Sequence, residues 1–392
     1  MLQVGVFWSE QADAYQAGKE SAEQALADLK AKAGLALAFC TVDYDEAQFL
    51  KGIREVVGDA PLMGSTSFMG VLTPGGFLHK KGGVGGVMLL ASPEMTFGVG
   101  GSEIGDDPRA AGQKAVRQAI AQAGKSESDA VSFFFMIAPP GAEELLIRGI
   151  EDVVGRVPMI GGSAANEMGE APWKEFANEA VMTNGVVVGV AYSKLPFGVG
   201  YTGYYRPTEH QGIITKVRDR RTLVEIDGRK ALEVYAEWRG MKVEELQGGA
   251  LLGATIPFPL GMRDVSGDIW WIRHPVNGND DGSMAVGSDL AEGTAVTMMQ
   301  ASLDEIAQGA SEVVKMALDD LGGEAGAVII GHCGGRAAAL GPERMAQVNA
   351  DIKAVLGDIP FIGYLTFGEQ GYAKWTTNGA GGLMLVAIAL GK

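Results

Sequence analysis

The 392-residue chain has few cysteines and few aromatic side chains, and basic charge is not in excess. Its two cysteines, Cys40 and Cys333, lie far apart, and neither belongs to a C-x-x-C pair, which argues against zinc-ribbon and thioredoxin-type chemistry. Lys and Arg number 32 against 48 Asp and Glu, so the formal net charge is −16. Because this charge repels phosphate backbones and anionic lipid surfaces, we expect no nucleic acid partner and no membrane partner.

Long apolar segments are also missing from the sequence. The longest apolar runs, such as Leu383 to Leu390, fall well short of the roughly 20 residues that a membrane-spanning helix requires. The N-terminus, Met1-Leu2-Gln3-Val4, lacks the basic segment of a secretory signal peptide and is typical of a strand start. We therefore expect a cytoplasmic protein without membrane insertion.

Glycine is the residue that the chain has in excess, with 58 of 392 positions against a usual share of about 7%. Many glycines belong to a G-x-x-P-x-x-G string that follows an apolar strand and an amphipathic helix and precedes another apolar strand. This string occurs three times, as Gly58-Pro61-Gly64, Gly155-Pro158-Gly161 and Gly357-Pro360-Gly363. The glycine surplus therefore indicates one turn-rich unit that is repeated along the chain.

The repeat predicts a β-α-β-α-β-β unit of about 95 residues that is used at least three times. The first helix of each unit is expected at about 12–31, 108–123 and 303–321, and the third begins with a capping box, Ser302 and Glu305. The opening strands are expected at Gln3 to Trp8, Thr96 to Gly100 and Thr294 to Gln300. We therefore expect an α/β (α+β) fold, a layered sandwich of two halves with helices on the outer faces of mixed sheets.

The two halves are expected at residues 1-205 and 206-392. The first half would contain two repeats, at about 1-93 and 94-195. The second would contain a strand-rich insert at about 206-290, with a strand at Asp268 to Arg273, followed by the third repeat at about 291-392.

Several motifs near these turns resemble those of the FIST family, a bacterial sensory module with N- and C-terminal parts. The stretches that carry the resemblance are Pro61 to Ser67, Pro158 to Asn166, Glu225 to Tyr235, Cys333 to Arg336 and Pro360 to Glu369. They cover most of the chain in the family's order. The chain departs from the family before its last strand, where an Asn-x-Thr is replaced by Thr376-Thr377-Asn378.

The resemblance implies small-ligand sensing in signal transduction, with amino acids or their derivatives as the usual ligands. We therefore expect a non-enzymatic sensory protein that binds an amino acid or a similar small carboxylate between its halves. Its output would pass through a separate signalling protein such as a kinase or receptor. Two alternatives stay open: a haem-binding nitric-oxide sensor, since the family includes some, and an enzyme that uses Cys333, Glu369 or Ser163.

The candidate site residues follow strand ends and glycine turns. The guanidinium of Arg336 suits a carboxylate and Glu369 an ammonium group, although the two could instead pair with each other. The hydroxyl and amide side chains could orient a ligand or simply bond their own turns. The expected ligand-binding residues are Ser65, Thr66, Ser163, Asn166, Trp173, Cys333, Arg336, Thr366, Glu369 and Asn378.

The sequence supports only weaker predictions for the roles of the cysteines, aromatic residues and histidines. For Cys333 and Cys40 a buried, inert thiol is favoured, because Ile137 takes the equivalent place in the second unit. Trp173 could form an apolar cleft wall with Phe176 and Tyr204, or could pack a long loop onto the body. The four histidines show no metal-ligand spacing, so no metal or cofactor is expected; for haem, the candidate ligands are His210 and His274.

Overall fold

Three repeated units and one insert make up the protein in the computed structural model, which describes residues 1–167, 172–267, 269–374 and 377–392. The first unit contains β1 (Gln3–Ser9), α1 (Ala14–Leu29), β2 (Leu35–Cys40), α2 (Glu46–Val57), β3 (Leu62–Thr66), the hairpin β4 (Val71–Thr73) and β5 (Gly76–Leu78), and β6 (Gly85–Ala91). The second contains β7 (Met95–Glu103), α3 (Pro108–Gln122), β8 (Phe133–Ala138), α4 (Glu143–Val154), β9 (Met159–Ser163), the hairpin β10 (Glu175–Ala177) and β11 (Ala180–Met182), and β12 (Gly185–Ser193).

The third unit begins with β13 (Phe197–Thr202) and is interrupted by the insert. The insert contains β14 (Arg206–Arg218), β15 (Thr222–Ile226), β16 (Arg229–Lys230), α5 (Ala231–Arg239), a short 3₁₀ helix (Val243–Leu246), α6 (Ala250–Ala254), β17 (Leu260–Arg263), β18 (Trp270–Arg273), β19 (Pro275–Gly278), β20 (Met284–Val286) and β21 (Ala295–Gln300). The unit resumes with α7 (Leu303–Leu321), β22 (Ala325–Cys333), α8 (Gly334–Leu356), β23 (Phe361–Thr366), the hairpin β24 (Glu369–Ala373) and β25 (Thr377–Gly381), and β26 (Leu385–Gly391). Asp268 and Thr376, which belong to two sequence motifs above, lie outside the described residues.

Local sequence explains where the helices begin and end. The predicted capping box is confirmed: the Ser302 hydroxyl accepts from the Glu305 N–H, and the Glu305 carboxylate accepts from the Ser302 N–H. The first glycine of each repeated string ends a helix with positive φ, at +60° for Gly58, +72° for Gly155 and +60° for Gly357. Glycine adopts this conformation at little cost, so the repeated string marks three helix ends.

The three units exchange hairpins in a cycle. Each unit forms a four-stranded sheet of the same order, β1-β6-β2-β3, β7-β12-β8-β9 and β13-β26-β22-β23. In each sheet the last two strands, which are joined by the unit's second helix, are parallel, and the other neighbouring strands are antiparallel. The hairpin β10-β11 of the second unit extends the first sheet, β24-β25 of the third extends the second, and β4-β5 of the first extends the third. Each sheet is therefore completed by a different unit.

The opening strand of the third unit differs from the prediction. The segment Ala295–Gln300 pairs with β14 and β17 of the insert, whereas Phe197–Thr202 pairs with β26 and lies under α7. A Cβ atom at Gly198 would lie 2.3 Å from the carbonyl oxygen of Ala317 on α7, as one at Gly98 would lie 2.0 Å from that of Ala119 on α3. The insert therefore lies inside the third unit. The limits 1-205 and 206-392 stay a prediction.

Apolar residues of all three sheets meet in one central core, and the helices cover the outer faces. On β2, for example, Leu35, Leu37 and Phe39 join the central core, while the alternating Ala36, Ala38 and Cys40 pack beneath α1 and α2. The insert has a core of its own, built around α5. Mixed sheets with helices on one face confirm the predicted α/β (α+β) layered fold.

Candidate functional site

The ends of three equivalent strands meet at the centre of the molecule. The register places Thr66 opposite Cys40, Ser163 opposite Ala138, and Thr366 opposite Cys333. Counted from the repeated glycines Gly64, Gly161 and Gly363, the equivalent of Cys40 in the second unit is Ala138, one residue away from the predicted Ile137, and in the third unit it is His332, one residue before Cys333. Backbone hydrogen bonds link the three units in a cycle here: Ala165 N to Thr66 O (3.2 Å), Phe367 N to Ser163 O (3.0 Å) and Phe68 N to Leu365 O (3.1 Å).

A cavity of ≈ 630 Å³ opens beside this meeting point, between the second unit, the third unit and the insert. Such a volume lies within the range typical of small-molecule sites. Two of the predicted residues, Trp173 and Cys333, line it. Its other apolar walls are formed by Leu252, Ile256, Val276, Phe367 and Leu383.

Glycine backbone and two polar side chains complete the cavity wall. The glycines come from all three neighbouring parts: Gly141 from the second unit, Gly253 and Gly287 from the insert, and Gly335, Gly368 and Gly382 from the third unit. The polar side chains are Arg221 and His274, both from the insert. The insert therefore supplies the polar side chains that the repeated units do not.

Behind the cavity wall, the Cys333 thiol contacts the carboxyl group of Glu369. Glu369 is fully buried, and it accepts from the Thr366 hydroxyl (2.6 Å) and from the Met384 N–H (2.8 Å). Burial raises the pKa of Glu369 to about 8 and raises the pKa of the Cys333 thiol well above its usual value. A thiol with a raised pKa stays neutral at pH 7 and is a poor nucleophile, in line with the inert thiol favoured from the sequence.

An ionic network joins the insert to the second unit at the edge of the cavity. The Arg221 guanidinium donates to Glu143 Oε2 (2.6 Å), Glu144 Oε2 (2.5 Å) and Asp289 Oδ1 (3.1 Å). The other oxygen of Glu143 accepts from the predicted Ser163 hydroxyl (3.0 Å), which in turn accepts from Gln370 Nε2 (3.0 Å). Ser163 thus contributes to the network that fixes the wall, through Glu143.

Arg336 does not line the cavity. Its side chain is fully buried and donates to three backbone carbonyls, those of Gly203 (2.6 Å), Leu383 (3.1 Å) and Ile306 (2.7 Å). A ligand carboxylate could reach it only by displacing a carbonyl. The predicted clamp between Arg336 and Glu369 is therefore not formed around the cavity, because both side chains hold the protein's own backbone.

Four further predicted residues are buried near the unit junctions. Thr66 accepts the N–H of Lys174 on its hydroxyl (2.9 Å), one residue beyond Trp173. Ser65 faces the second unit and its hydroxyl has no hydrogen-bond partner among the described residues. Asn166 is buried. Asn378 donates to Glu151 Oε1 and Val157 O (both 2.9 Å), so it lies against the end of α4 rather than at the cavity.

The predicted aromatic wall is present in part. Trp173 lines the cavity, whereas Phe176 packs into the core beneath α1 and α2. Tyr204 lines a different groove, of ≈ 430 Å³, with Tyr205 and Trp270. The long loop before β10 therefore contributes one aromatic residue to the cavity.

The described residues do not fit a haem group. His210 stacks on Trp238 with ring centroids 6.1 Å apart and does not line the cavity, and His274 lines it but donates Nε2–H to the Leu252 carbonyl (3.0 Å). The wall arginine Arg221 already faces three carboxylates, so it offers no free positive charge to a haem propionate. Within the described ranges, no group of three or more His, Cys, Asp or Glu could hold a metal ion.

Sequence reasoning missed His274 and Arg221 as wall residues. Both belong to the insert, where repeat spacing gives no guidance, and His274 was considered only for haem. A Trp-Trp-Ile-Arg-His run, in which His274 directly follows β18, was the available signal.

Comparison with known proteins identifies the family. The FIST N domain matches residues 34–229 and the FIST C domain matches residues 231–372, and the chain belongs to the FIST family. FIST domains are sensory domains of signalling proteins that bind small ligands. The resemblance that the sequence motifs indicated is thereby confirmed.

Individual relatives are more distant. An uncharacterized protein of Methanocaldococcus jannaschii is 25% identical over 199 residues, which are 48% of this chain and 38% of that protein. The chain thus matches well under half the length of this relative. Cyanuric acid hydrolase from A. caulinodans has a TM-score of 0.38 at 13% identity, with 100% of both chains covered. PurLQS from Thermotoga maritima has a TM-score of 0.26 at 13% identity, with 100% of this chain and 72% of that chain covered. Scores this low do not bear on activity.

No described helix is both long enough and apolar enough to cross a bilayer.

Proposed function

We propose that this protein is a non-enzymatic sensory module that binds a small molecule in the cavity between the second unit, the insert and the third unit. The observation that carries the proposal is the cavity itself, because its walls come from three separate parts of the chain and include Trp173 and Cys333. A ligand that contacts all three parts would hold them in one arrangement.

The Arg221 network supplies a route from occupancy to a change in shape. Arg221 lines the cavity and also binds Glu143 and Glu144 at the start of α4. A ligand that shifts Arg221 would therefore shift the insert relative to the second unit. The surface changed in this way would be recognised by a separate signalling protein, such as a kinase or receptor.

The finer ligand expected from the sequence is an amino acid or a similar small carboxylate. Its expected partners, Arg336 and Glu369, are engaged by backbone and by Thr366, so they do not support it. The enzyme alternative is not favoured either, because the Cys333 thiol has a raised pKa and its carboxyl neighbour is also protonated more readily than usual.

A thermal-shift screen tests the proposal. Amino acids, small carboxylates and uncharged aromatics are added at millimolar concentration to the wild-type chain and to Ala339→Trp, which places a large side chain on the cavity wall. A ligand should raise the midpoint of the wild type and leave that of Ala339→Trp unchanged. The control is Ala346→Trp, the same change on an exposed position of α8. The proposal would be contradicted if the ligand stabilised both tryptophan variants. It would also be contradicted if no compound stabilised the wild type or either variant.

A further inference from the structure

The charge on the cavity wall is already balanced by the protein. Among the described wall residues, Arg221 is the one with a permanent charge, and each of its three nitrogens is engaged. Its neighbours are the carboxylates of Glu143, Glu144 and Asp289, so the surroundings of the guanidinium are negative rather than positive. A ligand carboxylate would lose its water and meet no free cation, which costs free energy.

Four of the six wall glycines already use their N–H groups within the protein. The N–H of Gly141 donates to Glu143 (2.9 Å), that of Gly287 to the His274 carbonyl (3.0 Å) and that of Gly382 to the Ile272 carbonyl (3.2 Å). The N–H of Gly335 is directed at the Cys333 sulfur. These donors are thus engaged within the protein, in contrast to the convergent free N–H groups of phosphate or carboxylate sites.

One ring nitrogen of His274 is available as an acceptor. A carbonyl oxygen can only accept, so the contact between Nε2 and Leu252 O (3.0 Å) places the proton on Nε2. Burial lowers the pKa of His274 to about 4, so the ring is neutral at pH 7. Nδ1 is then an acceptor; no hydrogen bond from a described residue reaches it, and His274 lines the cavity. A ligand that fills this apolar cavity displaces water from Nδ1, so it binds better when it brings a hydrogen-bond donor to that atom.

The remaining wall favours flat, apolar ligands. Trp173 and Phe367 contribute aromatic surface, and Leu252, Ile256 and Leu383 contribute aliphatic surface. Aromatic side chains bind planar rings well through stacked and edge-on contacts. The Cys333 thiol faces Glu369 and so adds little polar character to the wall.

We infer that the ligand of this cavity is an uncharged, largely apolar heteroaromatic molecule that donates one hydrogen bond to Nδ1 of His274. The inference rests on the proposed function and narrows it from small molecules in general to one chemical class. It replaces the carboxylate expected from the sequence. Arg221 and four of the wall glycine N–H groups are already engaged within the protein, so a neutral ring loses less free energy on entering the cavity than an anion does.

Three indole probes that differ by one group test the inference on the full chain by isothermal titration and ligand-observed NMR. Indole is uncharged and has an N–H donor, 1-methylindole lacks the donor, and indole-3-acetate carries a carboxylate. We expect indole to bind, 1-methylindole to bind about fivefold more weakly for the loss of one hydrogen bond of about 1 kcal/mol, and indole-3-acetate not to bind at millimolar concentration.

Two variants assign the binding to this site. His274→Phe keeps a ring but removes the acceptor, so indole and 1-methylindole should bind to it equally well. Because His274 also holds Leu252 O, circular dichroism checks that the variant is folded, and Ala339→Trp with its Ala346→Trp control provides a second test that leaves His274 in place. Ala339→Trp should abolish indole binding and Ala346→Trp should not.

The outcomes separate the inference from the proposed function. Binding of indole-3-acetate or an amino acid that equals or exceeds that of indole, and that Ala339→Trp abolishes, would overturn the inference and leave the proposed function standing. Equal binding of indole and 1-methylindole by the wild type would overturn the role of His274. Failure of every charged and uncharged compound to bind the wild type would overturn both.

Discussion

Glu175 and Glu369 occupy the same place at two of the three junctions between units, but their surroundings differ. Glu175 lies opposite Ser65 at the junction of the first and second units, and Glu369 lies opposite Gly162 at the junction of the second and third. Both are fully buried, both accept an N–H near the start of their unit's last strand, and burial raises the pKa of each to about 8. At the third junction Val71 takes this place, opposite Tyr364.

The surroundings decide which of these places adjoins a cavity. Near Glu175, Met182 packs against Gly101 and Gly185, where it would contact a Cβ at either position within about 3 Å. Near Glu369, β22 runs directly into α8 at Gly334, and insert residues such as Leu252 and His274 form the facing wall. The repeated framework therefore provides two equivalent buried acids, and the insert forms a cavity next to one of them, Glu369.

The largest expected difference between the two junctions concerns Arg221. Arg221→Met would leave Glu143, Glu144 and Asp289 close together without their shared cation, and we expect a loss of ~3–5 kcal/mol in the free energy of unfolding. Urea unfolding measures it. The matched control is Arg218→Met, whose pair with Asp281 is half exposed and should cost less than ~1 kcal/mol. Equal losses in the two variants would show that the network does not hold the insert.

A second prediction concerns pH and applies to both glutamates. The carboxyl pKa rises from 4.5 to about 8 on folding, so the folded chain binds more protons than the unfolded chain between these values. Their contribution to stability is therefore complete below about pH 4.5 and is lost as the pH rises through 8, at up to ~1.4 kcal/mol per pH unit for each group.

The free energy of unfolding, measured with urea between pH 5 and 8, should fall less steeply with pH in Glu175→Gln and in Glu369→Gln than in the wild type, because each variant lacks one of the two titrating groups. At pH 5, Glu369→Gln should cost more than Glu175→Gln, because Glu369 accepts from Thr366 and Met384 whereas Glu175 accepts from Gly185 and leaves one oxygen unpartnered. An unchanged pH slope in both variants would refute the raised pKa values.

A smaller difference is expected between two serines. Ser163→Ala removes the hydroxyl that joins Glu143 and Gln370, and we expect a loss of ~1–2 kcal/mol in unfolding free energy. The Ser65 hydroxyl has no partner among the described residues, so Ser65→Ala should cost close to zero. A larger loss in Ser65→Ala than in Ser163→Ala would contradict the hydrogen-bond assignments.

The smallest expected effect concerns reactivity and leaves stability unchanged. Cys333 lines the cavity, whereas Cys40 packs beneath α1 and α2. Methyl methanethiosulfonate should therefore modify Cys333 before Cys40, and both more slowly than in unfolded protein, because burial raises the pKa of both thiols. Mass spectrometry of timed samples measures the order. Earlier modification of Cys40 would place the accessible cavity in the first unit instead.

The fold could be predicted where local signals repeat. Amphipathic spacing, helix caps and the G-x-x-P-x-x-G string located the helices and central strands of all three units. The opening strand of the third unit was missed because Ala295–Gln300 lies directly before α7, where the other units have their opening strand. Gly198-x-Gly200 repeats the Gly98-x-Gly100 pattern of β7, and this similarity was the signal for the correct assignment.

The site could be predicted only in part, because its walls depend on contacts between distant segments. Trp173 could be found because it is an aromatic residue in a long loop, and Cys333 because it ends a central strand within the Cys333 to Arg336 motif. Arg336 was predicted from the same motif as Cys333, but in the folded chain it donates to backbone carbonyls of α7, of the turn before β26 and of the segment after β13. Arg221 and His274 reach the cavity through the pairing of the insert strands, which local sequence does not specify.

The cyclic exchange of hairpins has a consequence for how the chain reaches this structure. Leu72 in the first hairpin pairs with Gly363. This strand is synthesised early, but it can pair only after nearly the whole chain has been made. The first sheet likewise needs a hairpin from the second unit, and the second sheet needs one from the third. Pairings this distant slow folding and prevent the units from maturing one after another during synthesis. We therefore expect a truncated chain that lacks the third unit to be aggregation-prone, since its second sheet would have an open edge at β9 and the hairpin β4-β5 would have no sheet to join.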